Sequence, residues 1–111
     1  MVHFDYEKVR TYFDDEKVVL QAFLALLQKE LPRSRAEIES RFAEKDLNGI
    51  VAAAHKVKGT ALSAGLDELT RIATRLNKLT AFDEAVIGSL ITELVNEINI
   101  ILPFVADKLK A

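Results

Sequence analysis

Residues 53–61 read Ala53-Ala54-His55-Lys56-Val57-Lys58-Gly59-Thr60-Ala61 and place one of the chain's two histidines in a run of small and apolar residues. In an α-helix, residues three and four apart share a surface, so His55, Lys58 and Gly59 lie together. This surface combines a nitrogen nucleophile, a cation one turn along and a position without a side chain. It suits a histidine that accepts a bulky anion from a partner. The other interpretation is an ordinary histidine at the edge of a helical core.

A helical wheel at about 100° per residue shows how this stretch faces the core. The apolar stripe is centred near Val51, Ala54 and Ala61. His55 then lies about 100° from that centre, at the margin of the buried face, and Gly59 lies further towards solvent. A glycine inside a helix costs about 0.5–1 kcal/mol relative to alanine. We expect clearance for an approaching molecule to offset that cost; a close contact between helices is the alternative.

The neighbours of His55 divide into an anion-binding residue and candidate docking residues. The stem of Lys58 can run over apolar residues while its ammonium reaches the rim, where it would neutralise an anion on His55. Lys56 points away and is interpreted as a solvated charge. Ala52 and Leu62 predict an apolar rim of the kind a docking surface needs, with core burial of Leu62 as the alternative. The candidate docking residues are Ala52 and Leu62 of this rim and, as a charge beside it, Lys56.

The apolar positions repeat with a helical period, and no useful length of chain alternates with period two. The spacing predicts helices at residues 2–10, 15–45, 47–64 and 67–79, and a last helix whose stripe runs from Ile87 to Leu109. The stripe keeps its phase across Pro32, which predicts one long helix with a kink. Two helices, with Pro32 opening the second, are the alternative. Amphipathic helices with short connections indicate an all-α antiparallel four-helix bundle, with the short extra N-terminal helix across its end. We expect a single domain over residues 1–111.

Polar residues predict where these helices begin and end. The candidate N-caps are Asp14 or Asp15, Asp46, and Thr80 or Asp83. Gly65 is expected to end the third predicted helix in a left-handed conformation. Pro103 should bend or shorten the last helix.

The last helix carries apolar residues beyond its stripe. They are Val86, Ile91, Val95, Ile100, Leu102 and Phe104. We expect them to be buried on two sides, against the bundle and the N-terminal helix. A dimer surface, or a contact with neighbouring domains, is the alternative.

Composition and motifs argue against several other classes of function. The 111-residue chain has a formal net charge of −2, and its charges are interspersed without the basic stripe of a nucleic-acid-binding protein. It has no cysteine, and His3 is far from His55 in sequence, so we expect no metal site. No glycine-rich phosphate loop is present, which predicts no ATP site and no cofactor. A phosphoryl group on His55 would therefore come from another protein or domain.

The apolar stretch Ile98–Ala106 is far shorter than the ~20 residues that span a bilayer. Residues 1–10 are charged and lack the apolar core of a signal peptide. The absence of cysteine allows a cytosolic setting. We therefore expect a cytoplasmic protein without membrane insertion.

The stretch around His55 resembles the histidine-containing phosphotransfer (HPt) domains of two-component phosphorelays. The family pattern is His-x-x-Lys-Gly preceded by alanine, and it matches residues 54–59 here. A second glycine, Gly65, and a leucine, Leu69, follow as in the family. Asp46 falls where such domains often place an acidic residue. One departure is Asn77 after Leu76, where such domains often have an acidic residue.

The resemblance implies a phosphocarrier and not an autonomous enzyme. His55 would carry the phosphoryl group, Lys58 would stabilise its oxygens, and Gly59 would let the partner close over the histidine. The partners would be a receiver domain, a hybrid sensor histidine kinase, or both, and the receiver would supply the aspartate, Mg²⁺ and its own lysine. Such a carrier needs only transient contacts, and we expect a monomer. The alternative is a non-catalytic helical interaction or dimerisation module.

Overall fold

The computed structural model describes residues 3–110, which form helices and connecting turns without any strand. The helices are α1 (Tyr6–Tyr12), α2 (Lys17–Ala43), α3 (Leu47–Ser63), α4 (Asp67–Asn77) and α5 (Glu84–Lys110). The all-α prediction is confirmed. The short N-terminal helix begins and ends later than the predicted 2–10, and Val2 lies outside the described residues.

Helices α2 to α5 form a ring in which each packs against two neighbours. Helix α2 packs against α3 and α5, and α4 packs against the same two helices, so α3 and α5 are diagonal. The connections at residues 44–46, 64–66 and 78–83 are short, which makes consecutive helices antiparallel. The predicted four-helix bundle is thereby confirmed, with α1 as a small addition.

Helix α2 is continuous through Pro32, so the prediction of one long helix is confirmed and the alternative of two helices is wrong. Pro32 removes one backbone donor from the helix. Leu31 and Ile38, on either side of it, are both fully buried. The apolar stripe thus keeps its phase, and core packing offsets the missing hydrogen bond.

Three helices end in the same hydrogen-bonded turn, with one residue in the left-handed conformation after α2 and α3 and two after α1. After α3 this residue is Gly65 (φ +65°), and the amide of Leu66 donates to the carbonyl of Ala61 at 2.9 Å. This is the Schellman arrangement that glycine favours, as predicted for Gly65. After α2 the same place is taken by Lys45, with φ +55°.

The third of these turns corrects the prediction that Asp14 or Asp15 caps α2. Both have positive φ, and the amide of Asp15 donates to the carbonyl of Arg10 at 3.0 Å. They therefore close α1, because aspartate tolerates the left-handed region better than most residues. The N-cap of α2 is Glu16, whose side chain makes no capping hydrogen bond.

The other predicted caps are found in the structure. The carboxylate of Asp46 accepts a hydrogen bond from the amide of Gly49 at 2.9 Å. The carboxylate of Asp83 accepts one from the amide of Val86 at 3.2 Å, so Asp83, and not Thr80, opens α5.

Helix α5 is the main core helix, and its apolar residues differ in burial. It buries Ile87, Leu90, Ile91, Leu94, Ile98, Ile101 and Val105. Val86, Ile100 and Phe104 are exposed, so two-sided burial is wrong for these three. The seven-residue α1 is too short to cover the outer face of a 27-residue helix. The helix also continues through Pro103 to Lys110 without the predicted shortening.

By length and composition alone, helix α5 could cross a membrane. Its apolar 18-residue window has a mean hydropathy of 1.6. The core helix of a soluble bundle has the same composition. Ile98 and Ile101 of this helix are fully buried in the bundle. The core therefore accounts for part of the apolar character of α5, since 39% of the window is buried.

Candidate functional site

His55 lies on the exposed face of α3. The buried residues of this helix are Ile50, Ala53, Ala54, Val57 and Ala61. On a helical wheel, His55 is about 150° from their centre. The predicted position at the core margin is therefore wrong, because Ile50, Ala53 and Val57 move the buried centre away from Val51, which is only half-buried. The imidazole is more open to a partner than the sequence indicated.

Gly59 is exposed one turn after His55. A Cβ placed on Gly59 would meet no atom within 4 Å, apart from its own helix backbone and chain neighbours. The alternative of a close contact between helices is therefore wrong. The structure leaves the space beside His55 open, and the role of this space in partner approach stays a prediction.

The two lysines beside His55 have different surroundings. Lys56 is exposed, and its Nζ lies 3.4 Å from an Oε atom of Glu37 on α2, so it is paired and not simply solvated as predicted. Lys58 is half-buried. Within residues 3–110, the ion pairs do not include Lys58. Its charge is therefore not neutralised by a carboxylate of the described chain.

The remaining predicted docking residues, Ala52 and Leu62, are both exposed on the same face of α3. Leu62 is 61% exposed, so the alternative of core burial is wrong. An apolar side chain this exposed beside His55 fits a contact surface. The docking roles themselves stay predictions.

A groove between α2 and α3, with a volume of about 410 Å³, opens beside Gly59. Its lining residues are Phe23, Leu26, Leu27, Glu30, Gly59, Thr60 and Ser63. Leu26 is exposed, and the sequence analysis did not identify it as a candidate. One feature of the sequence could have identified Leu26 as a contact residue. It is apolar but lies outside the buried stripe of α2, so the core does not require it.

Asn77, the departure from the family pattern, has a structural role. Its Nδ2 donates to the backbone carbonyl of Val51 at 3.1 Å. This contact joins the end of α4 to α3 one turn before His55. The amide donor makes this bond directly, whereas an ionised carboxylate would have no proton to donate.

A charged network links α4 to α5. Hydrogen bonds from Arg71 lower the pKa of the Glu68 carboxyl, an effect that partial burial of Glu68 opposes. Glu68 correspondingly raises the pKa of the Arg71 guanidinium. Glu93 of α5 lies 3.4 Å from Arg71 and 3.9 Å from Arg75. In the part of the chain that the structure describes, no three potential metal ligands lie together.

The fold and the site together define a helical bundle that presents one exposed histidine beside an open glycine and a lysine. A family model described as "Hpt domain" matches residues 19–101. The structure is similar to the HPT domain of a hybrid sensor histidine kinase from Shewanella, with a TM-score of 0.81 and 18% sequence identity. That match covers 97% of this chain and 94% of the other. The comparison with curated proteins gives no match.

The chain therefore belongs to the Hpt domain family, whose role is phosphotransfer in two-component phosphorelays. Hpt domains are phosphocarriers and not catalysts. They are soluble domains that interact with receiver domains and histidine kinases.

Proposed function

We propose that the chain is a phosphorelay intermediate that accepts a phosphoryl group on His55 and passes it to or from a receiver aspartate. An imidazole nitrogen of His55 attacks phosphorus, the bond from phosphorus to the aspartate oxygen breaks, and the imidazole gives up its N–H proton. The reverse sequence returns the group to an aspartate. A neutral imidazole is a competent nucleophile near neutral pH.

The observation that carries this proposal is the exposure of His55 beside the open space at Gly59. In-line transfer requires the donor aspartate, its metal ion and the imidazole to come together without a gap. A side chain at position 59 would stand one turn from the imidazole and obstruct that approach. Its absence, at a cost to helix stability, supports a site where another protein must close over His55.

Lys58 is the residue we assign to the phosphoryl oxygens. It shares the surface of His55, and no carboxylate of the described residues is paired with it. A cation placed where negative charge accumulates stabilises both the transfer and the phosphorylated product. Lys56 is less suited to this role because Glu37 already pairs with it.

The docking surface that we propose consists of Ala52, Lys56 and Leu62, extended by the groove at Leu26. Leu26, in the groove between α2 and α3, and Leu62, in the groove that α3 forms with α1, provide exposed apolar area near His55. Apolar area at the centre of a contact surface excludes water from the reacting atoms. Lys56 adds charge at the rim, where it affects the association rate more than the affinity.

The partner would supply the other reacting groups. The receiver would provide the aspartate, Mg²⁺ and its own lysine, so the carrier needs no cofactor or ATP site. We propose a single-domain monomer over residues 1–111 that meets its receiver or kinase transiently in the cytoplasm.

Phosphotransfer from a labelled receiver tests the proposal. Receiver domains carrying radiolabelled aspartyl phosphate, with Mg²⁺, are mixed with wild type, with His55→Gln and with His3→Gln. Acid-labile, base-stable label should move to the wild type and to His3→Gln but not to His55→Gln. His3→Gln is the matched control for the site of labelling, because it removes the only other histidine; the readout is whether label is bound, not its rate.

Transfer to His55→Gln would overturn the assignment of the site. If no receiver and no histidine kinase in a broad panel labels the wild type, the chain is an interaction module and the phosphocarrier proposal is wrong.

A further inference from the structure

Glu97 of α5 is the buried charged residue of the described chain, with 4% of its surface exposed. Its Oε2 lies 2.6 Å from Nδ1 of His3, which precedes α1 and is 94 residues away in sequence. No other hydrogen bond to the Glu97 side chain occurs among residues 3–110. The His55 site does not use this pair.

A buried carboxylate is costly unless a partner compensates for its lost hydration. His3 is that partner, and its ring also lies near Glu68 of α4, whose pKa it helps to lower after the larger effect of Arg71. The imidazole therefore faces carboxylates from two helices of the bundle. The contact is charge-assisted whenever His3 is protonated, which makes it stronger than a neutral hydrogen bond.

Helix α1, which follows His3, cannot be stable alone. It has seven residues, and isolated helices shorter than about 12 residues are marginal in water. Val9 is its one buried residue. Phe4, Tyr6 and Phe13 are partly buried against the core, with the ring centre of Phe13 5.0 Å from that of Phe23 on α2. The Nζ of Lys108 also lies 4.7 Å from the ring centre of Tyr6. The position of α1 therefore depends on a few contacts, and the strongest polar one is His3 with Glu97.

Helix α1 also lies outside the residues that the family model matches, which begin at residue 19. The bundle of α2 to α5 has its own continuous core. Loss of α1 would take one fully buried side chain, Val9, from that core.

We propose that residues 3–13 form a releasable strap, held on the bundle by the His3–Glu97 pair. When the strap leaves, water reaches the Glu97 carboxylate, so no unsolvated charge remains. The polar pair thus makes attachment specific, and release exposes the partly buried Phe4, Tyr6 and Phe13 together with Val9.

Release would change the surface near the phosphotransfer site, a consequence that rests on the proposed function. Tyr12 of the strap and Leu62 of α3 line one groove, about 300 Å³ in volume. The strap therefore forms one wall beside a proposed docking residue. Its departure would alter partner contact while leaving His55 in place.

Hydrogen exchange of the full chain tests the strap. In His3→Ala, the amides of Val9 to Phe13 should exchange about tenfold faster or more, as loss of a charged hydrogen bond predicts. Core amides of α2 to α5 should change by less than about twofold. Glu97→Gln, which keeps the shape and removes the charge, should accelerate the strap amides by a smaller factor. His55→Ala is the matched control, since it removes an exposed histidine from α3, and it should leave the strap unchanged.

Unchanged strap amides in His3→Ala would overturn the proposal. Equal acceleration of strap and core amides, or failure of His3→Ala to fold, would also overturn it, because the strap would then be an inseparable part of the bundle. Hydrogen exchange involves no phosphoryl group, so these outcomes are independent of the labelling of His55.

Discussion

Gly59 lies one helical turn after His55 on the exposed face of α3, and a Cβ added at Gly59 would find open space. Packing within the described chain therefore does not explain why a glycine occupies position 59. It weakens the helix that carries the histidine, while leaving the approach to the imidazole clear. Stability and transfer should consequently respond in opposite directions when this position is filled.

Substitution of Gly59 tests that opposition. Gly59→Ala should raise the free energy of unfolding by about 0.5–1 kcal/mol, because alanine restricts the unfolded chain and meets no clash. Gly59→Leu should slow phosphotransfer about tenfold or more, since it displaces the partner from the imidazole. Urea unfolding and receiver-labelling rates measure the two effects. Ala85→Leu, at an exposed position of the diagonal helix α5, should leave transfer unchanged; an equal loss there would contradict the role of Gly59.

Lys58 and Lys56 form a matched pair on the same helix. Lys58→Gln should lower the maximal transfer rate about tenfold or more, as loss of one charged contact to the phosphoryl oxygens predicts. Lys56→Gln should change the KM for the receiver, because Lys56 adds charge at the rim of the docking surface. It should change the maximal transfer rate little, because Lys56 is paired with Glu37 and not directed to the phosphoryl group. Single-turnover transfer at saturating receiver separates the two. Equal rates for wild type and Lys58→Gln would exclude Lys58 from the reaction.

Leu62 tests the docking surface. Leu62→Ser should raise the KM for the receiver several-fold while changing the free energy of unfolding by less than about 0.5 kcal/mol, because the side chain is already exposed. The control is Val86→Ser, which removes an exposed apolar residue from α5. If both variants raise KM equally, the contact surface is not confined to the His55 face.

The left-handed residues after α2 and α3 give opposite predictions for stability. Lys45→Gly should raise the free energy of unfolding by about 1 kcal/mol, because lysine is strained at φ +55°. Gly65→Ala should lower it by a similar amount, since φ is +65° there. Thermal and urea unfolding measure both changes. A destabilised Lys45→Gly variant would show that the lysine side chain makes contacts that outweigh the strain.

Glu68 predicts how stability depends on pH. Its pKa is lowered in the folded state, mainly by hydrogen bonds from Arg71. An unfolded glutamate has a pKa of about 4.3, so the stabilisation is complete above that pH and is lost as pH falls through the lower folded value. Glu68→Gln should therefore flatten the acid limb of the stability curve, measured by urea unfolding at several pH values. Glu39→Gln, at an exposed position of α2, should retain the wild-type slope.

Much of the fold and of the site could be predicted because the signals were local. Helix boundaries follow from periodicity and from caps such as Asp46, which act within one turn. The errors also have local causes. Asp14 and Asp15 have the composition of an N-cap, but they adopt the left-handed conformation that closes α1. Leu26 was missed because a wheel identifies a buried stripe more readily than an exposed contact.

The sequence alone determined the helices, their antiparallel order and the group His55, Lys58 and Gly59, because each depends on spacing along one helix or on short connections. Only the tertiary structure decided how far His55 faces solvent. A helical wheel gives the angles between residues of one helix, but the neighbouring helices decide which side of that helix is buried. It alone paired Lys56 with Glu37. It also paired His3 with Glu97 across 94 residues, since a contact between distant segments depends on how the helices pack and leaves no periodic signal in the chain.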